Sequence, residues 1–126
     1  MAARVTHWIN GKLWEGTAER SGDVYDPATG EITKTVDLAS AKVLDEAVAA
    51  AKAAFPGWRD TSLTKRASIL FAFREILNAR KEEVAAIITE EHGKVLSDAL
   101  GEVTRGLEVV EFACGIPHLL KGGFSE

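Results

Sequence analysis

The stretch from Val95 to Lys121 is apolar on two opposite sides, and this constrains the fold more than any other feature of the chain. Leu96, Leu100, Val103, Leu107, Val110 and Cys114 recur at alternating spacings of four and three, which places them on one side of an α-helix. Rotating the same helix by about half a turn brings up Gly101, Arg105, Val109 and Phe112, a second stripe that is small or apolar apart from one arginine. A helix of this kind packs between two layers. A guanidinium on its inner face needs an anionic or carbonyl partner. Spacing alone leaves open a structural ion pair, a snorkelling side chain or a ligand contact. The neighbouring Gly101 and Gly106 each cost about 1 kcal/mol of helix propensity relative to alanine, and their small size allows close approach, which favours the ligand.

The remainder of the chain divides by periodicity. His7-Trp8-Ile9 and Lys12-Leu13-Trp14 flank Asn10-Gly11, the signature of a tight hairpin with a type I′ turn. Gly16 to Gly22 is polar and reads as loop. Val24-Tyr25 leads into Asp26-Pro27-Ala28-Thr29-Gly30-Glu31, where an aspartate, a proline and a glycine occupy turn positions suited to each. An extended segment from Ile32 to Val36 follows. From Ser40 the period becomes helical, with Ser40 as N-cap and Leu44, Val48, Ala51 and Phe55 on one face. Pro56-Gly57 is expected to stop this first helix. Thr61 or Ser62 caps a second, whose Leu63, Ala67, Leu70, Phe73 and Leu77, widened by Ile69, Phe71 and Ile76, make it the element expected to be most buried. The pattern is interrupted near Asn78 and resumes through Val84, Ile87 and Ile88. His92-Gly93 closes the third helix, with glycine suited to a left-handed C′ position. Gly115 and Pro117 weaken the last turns of the long fourth helix.

The fold class is therefore α+β: strands and turns over residues 1–38, then about four helices over 40–121. No strand-helix-strand alternation supplies a parallel sheet for these helices to cover. Either the helices bundle among themselves, or the chain is the front of a longer α/β protein.

Several chemistries find no support in the residues. Fifteen basic and nineteen acidic side chains give a net charge of −4 with neither sign in blocks, so neither nucleic acid nor an anionic membrane is indicated as a partner. The single cysteine, Cys114, forms no internal disulfide, which fits a reducing, cytoplasmic compartment. It continues the apolar face of the long helix and reads as a buried, inert thiol. His7, His92 and His118 show no paired spacing for a metal. There is no glycine-rich phosphate-binding motif. Thr89 to Lys94 is a polar cluster explained by a charged helix end, with Lys94 near the negative pole of the dipole.

Four separated motifs carry a resemblance. Ile9-Asn10-Gly11-Lys12-Leu13-Trp14, Asp26-Pro27-Ala28-Thr29-Gly30-Glu31, Ala53-Ala54-Phe55-Pro56-Gly57-Trp58 and Glu91-His92-Gly93-Lys94 resemble the opening of the aldehyde dehydrogenase superfamily, in order and at its spacing. Ala99 to Gly106 followed by Val110 to Gly115 resembles the methylmalonate-semialdehyde dehydrogenase branch, which is acylating and coenzyme-A-dependent. Asp26 stands where the superfamily usually has asparagine; both residues serve the turn. The resemblance implies the amino-terminal part of an NAD-binding domain, within a parent α/β fold carrying a Rossmann-like cofactor domain. Catalytic and oligomerisation parts would lie beyond the matched region. It further implies NAD and coenzyme A as cofactors of the parent, none bound to this segment, and a homo-oligomeric assembly. A semialdehyde is the implied substrate, with Arg105 at its carboxylate and Phe112 lining the tunnel. By the same resemblance no catalytic residue lies in this chain, and a segment acting alone is expected to be inactive. The alternatives are a free-standing helical interaction module without catalysis, and a piece of a general NAD(P)-dependent aldehyde dehydrogenase.

Overall fold

The computed structural model describes residues 3–123. The chain divides at Asp60 into two compact units, residues 1–60 and 61–126.

Among the described residues, the first unit holds five strands and one helix. β1 (Ala3–Val5), β2 (Trp8–Ile9), β3 (Lys12–Leu13), β4 (Arg20–Tyr25) and β5 (Ile32–Leu38) precede α1 (Ala41–Arg59). β2 and β3 form the expected hairpin, with Trp8 opposite Leu13. Asn10 and Gly11 have φ of 54° and 76°; left-handed backbone at both central positions defines the type I′ turn, whose twist matches that of the flanking strands. The Asp26 turn also forms as the sequence indicates. Asp26 Oδ1 accepts from Ala28 N–H at 2.8 Å, and the Asp26 carbonyl accepts from Gly30 N–H at 2.7 Å.

Three expectations for this unit are corrected. Arg20 to Gly22 is not loop: it begins β4, which pairs antiparallel with β5 and sets Gly22 opposite Val36. An edge strand with polar outward residues lacks the apolar alternation that marks a half-buried one. Second, a strand precedes the hairpin: β1 lies parallel to β5 and completes a three-stranded sheet in the order β1-β5-β4. Third, α1 runs through Pro56 and Gly57 to Arg59. Pro56 falls in the last turn, where one hydrogen bond is lost, and Asp60 N–H closes that turn on the Pro56 carbonyl at 3.1 Å. Ser40 caps the other end, accepting from Val43 N–H at 3.4 Å.

An ion pair between Arg4 and Asp37 fastens the sheet. Asp37 on β5 is buried, and it accepts from Arg4 Nε at 2.9 Å and Arg4 Nη2 at 2.6 Å. Arg4 Nη2 also donates to the Gly16 carbonyl at 2.6 Å, so a single guanidinium ties β1, β5 and the segment after the hairpin. Hydrogen bonding from Arg4, then from Thr6, holds the Asp37 carboxyl below the usual carboxylate range. A folded-state pKa below the unfolded value of about 3.9 contributes stability that is present above that pH and lost as pH falls through the folded value. Urea denaturation followed on β5 amides is expected to show stability falling below about pH 4; Asp37→Asn should remove that acid-dependent component and lower stability at neutral pH.

The second unit is helical: α2 (Leu63–Ala79), α3 (Lys81–His92), α4 (Leu96–Cys114) and the short α5 (Ile116–Leu119). Its core is Ala85, Ala99 and Val103, with Leu77, Val84, Ile88 and Leu100 packed against it. Leu107 and Cys114 extend the buried face of α4. Ser62 caps α2, accepting from Lys65 N–H at 3.3 Å. Gly93 ends α3 with φ of 82°, its N–H donating to the Thr89 carbonyl at 2.9 Å. α2 is not the most buried helix. Ala67 is its one buried residue, while Ile69, Phe71, Phe73 and Ile76 are each at least 47% exposed. Its apolar girth exceeds the surface that its neighbours cover. Exposed apolar side chains favour association when they gather into patches, and Ile69, Phe73 and Ile76 share one side of α2, so the isolated chain is expected to sediment as larger species at low micromolar concentration. A monodisperse monomer with a sharp melt would contradict this.

Candidate functional site

α4 is turned so that its buried and open faces lie opposite each other. Ala99, Val103, Leu107 and Cys114 face the core. Gly101, Arg105, Val109 and Phe112 fall on the other side at about 100° per residue. Ala99 belongs to the core although its small side chain gives little periodic signal, whereas Leu96, assigned to the core by spacing, is exposed. The second stripe is open rather than sandwiched: Val109 and Phe112 are each 69% exposed. Arg105 and Phe112 share this face, separated along the axis by about 10.5 Å from the helical rise.

Arg105 is exposed. Among the described residues it makes no hydrogen bond or ion pair, so the structural ion pair left open by the sequence does not form there. Its side chain lies back toward the helix N-terminus, with Nη1 3.8 Å from where a Cβ on Gly101 would stand. This direction is the usual one for long helical side chains. Glu102, one turn earlier, is engaged elsewhere: its Oε1 accepts from Lys94 Nζ. The Glu102 carboxyl is held below its ordinary range, first by that hydrogen bond and to a lesser degree by the charges of Lys94, Arg105 and His92. The sequence did not show this contact. Lys94 reads as a helix-end cation, but the left-handed Gly93 reverses the chain and brings Lys94 to the second turn of α4. The usable signal was the pairing of a left-handed glycine with an acid eight residues beyond its neighbour.

A different guanidinium illustrates the contrast. Arg74 on α2 donates through Nε and Nη2 to Glu111 Oε1 at 2.9 and 2.5 Å, and through Nη1 to Glu75 at 2.7 Å. It is a structural clamp between α2 and α4. A hollow of about 310 Å³ beside it is lined by Phe71, Arg74, Glu75, Glu111 and Cys114. Cys114 is buried, on the side of α4 opposite Arg105, as its place in the apolar pattern indicates. Among the described residues no cluster of three or more histidine, cysteine or acidic side chains could hold a metal ion. No described helix is long and apolar enough to cross a membrane.

Comparison with known proteins follows the same residues. The Aldehyde dehydrogenase family profile matches residues 14–125, and the chain belongs to that family. It is 47% identical over 119 residues to the malonate-semialdehyde dehydrogenase of Pseudomonas aeruginosa, covering 94% of this chain and 24% of that protein. It is 44% identical over 119 residues to the enzyme of the same description from Listeria monocytogenes, with the same coverage. Among solved structures, a putative methylmalonate-semialdehyde dehydrogenase from Sinorhizobium meliloti in complex with NAD superposes with a TM-score of 0.93 at 45% identity, over 100% of this chain and 26% of that one. The methylmalonate-semialdehyde dehydrogenase of Oceanimonas doudoroffii gives 0.92 at 49% identity, over 100% and 25%. The chain thus spans about a quarter of the length of the relatives it matches. The motif resemblance led to this same family and branch.

The two glycines beside Arg105 can be probed separately. At Gly106 an added Cβ meets nothing within 4 Å, and at Gly101 it meets only Arg105 Nη1 at an ordinary contact distance. Gly106→Ala is expected to raise the stability of this chain by about 0.5–1 kcal/mol, from helix propensity alone. Chemical denaturation followed by helical circular dichroism checks it.

Proposed function

We propose that this chain is the amino-terminal part of the NAD-binding domain of a coenzyme-A-acylating semialdehyde dehydrogenase, with malonate or methylmalonate semialdehyde as substrate. In that enzyme NAD would supply the hydride acceptor for aldehyde oxidation, and coenzyme A would supply the thiol that receives the acyl group. Arg105 is the residue that holds the substrate carboxylate, and Phe112 lines the approach to it. One observation carries the reading: Arg105 stands unpaired on a face of glycine, valine and phenylalanine, in a chain nearly half identical to a malonate-semialdehyde dehydrogenase. The NAD complex of the Sinorhizobium meliloti relative supports the choice of cofactor.

The described residues do not themselves fit a dinucleotide. The strand-to-helix connection from β5 to α1 is Ala39-Ser40, without the glycines that let backbone N–H groups approach a pyrophosphate. No residue here is assigned to NAD or coenzyme A. Homo-oligomeric assembly and a cytoplasmic setting belong to the same proposal, the latter supported by the single, buried cysteine.

A planar guanidinium binds a carboxylate through two parallel hydrogen bonds, whereas an ammonium offers a point charge. Hydrogen bonds to charged groups contribute about 1.5–3 kcal/mol. In the full-length enzyme containing this segment, Arg105→Ala is therefore expected to lower kcat/KM for methylmalonate semialdehyde by roughly ten- to over a hundredfold. Propanal, which lacks the carboxylate, should lose far less, and Arg105→Lys should restore only part of the activity. Equal losses for both aldehydes at matched folding would sink the carboxylate role.

A further inference from the structure

Glu102 stands three residues before Arg105 on α4, and an acid placed N-terminal to a base is the favourable helical orientation. Arg105 leans in that direction, over Gly101. Glu108, three residues beyond, is in the poorer orientation for the same reason. By default, then, Glu102 would take the guanidinium and compete with any incoming carboxylate. It does not. Its Oε1 is held by Lys94, whose side chain is 19% exposed against 42% for Glu102. That lysine is placed by the left-handed turn at Gly93, φ 82°.

We infer that Lys94 is a positioning residue for substrate selection: by holding Glu102, it keeps Arg105 available to a substrate carboxylate. The inference rests on the carboxylate-clamp reading of Arg105. The chemistry is a competition between two carboxylates for one guanidinium, one on the protein and one on the substrate, and Lys94 removes the first from it. Removing the ammonium frees Glu102 to swing toward Arg105. Such a pair on an exposed helix face is modest in strength, so the effect is a shift in substrate binding rather than loss of catalysis.

The test is a set of variants of the full-length enzyme containing this segment, assayed with methylmalonate semialdehyde and propanal. Lys94→Met keeps the aliphatic stem that packs against the protein and deletes the charge. It is expected to raise KM for the semialdehyde roughly two- to fivefold, the scale of an exposed ion pair, with kcat and the propanal constants unchanged. Adding Glu102→Gln to Lys94→Met should return KM to the parent value, and Lys94→Arg, which retains a cation, should not raise it. A KM increase shared by both aldehydes, or one that Glu102→Gln does not relieve, overturns the role of Lys94. Arg105→Ala in the same assay separates the two ideas. If its loss is selective while that of Lys94→Met is not, only the Lys94 inference fails; if it is unselective, the clamp reading and this inference fail together.

Discussion

The helical unit depends on the close approach of α3 and α4 through two alanines. Ala85 and Ala99 are both fully buried, and with Val103 they form the centre around which Leu77, Val84, Ile88 and Leu100 pack. Small side chains at a helix contact bring the backbones near each other and leave little freedom to rotate, because a larger residue at either position would meet a filled interior. Fixing the rotation of α4 fixes everything on its far side. Arg105 and Phe112 face outward because Ala99 and Val103 face inward.

Much of this was legible in the sequence, and what escaped did so for identifiable reasons. The Asn10-Gly11 hairpin, the Asp26 turn, the caps at Ser40 and Ser62 and the stop at Gly93 each rest on chemistry local to a few residues. The two-faced character of α4 came from periodicity over nineteen residues. β1 and the start of β4 escaped because they exist through partners distant in sequence: β1 pairs with a strand about thirty positions on, in register Val5 with Val36. Neither is apolar enough to announce itself. The burial of α2 was overestimated because hydrophobicity reports what a surface can bury, not whether the present chain supplies the cover. The Arg4–Asp37 and Lys94–Glu102 pairs likewise join residues brought together by a turn or a sheet, which no one-dimensional spacing rule encodes.

The arginines of the chain differ in what holds them. Arg4 is satisfied by Asp37, Arg74 by Glu111 and Glu75, and Arg80 by Glu83; these fasten strands and helices or cover a helix end. Lack of a partner is not informative by itself. Arg20 has no hydrogen bond or ion pair among the described residues either, but it opens an edge strand with its side chain exposed. Arg105 differs in its company: its helical neighbours at four residues on either side are Gly101 and Val109, and Phe112 continues the row.

Glu102 makes that company more specific. An apolar face with a lone cation and no acid nearby could be a solvated accident, but this face has an acid one turn away, in the better orientation, already committed to another cation. Two positive groups flank one carboxylate, and the less exposed of them holds it. The result is a guanidinium with no hydrogen bond or ion pair among the described residues, beside Gly101 and Gly106. The charge arrangement on α4 therefore leaves Arg105 as the uncommitted cation among the described residues of this face.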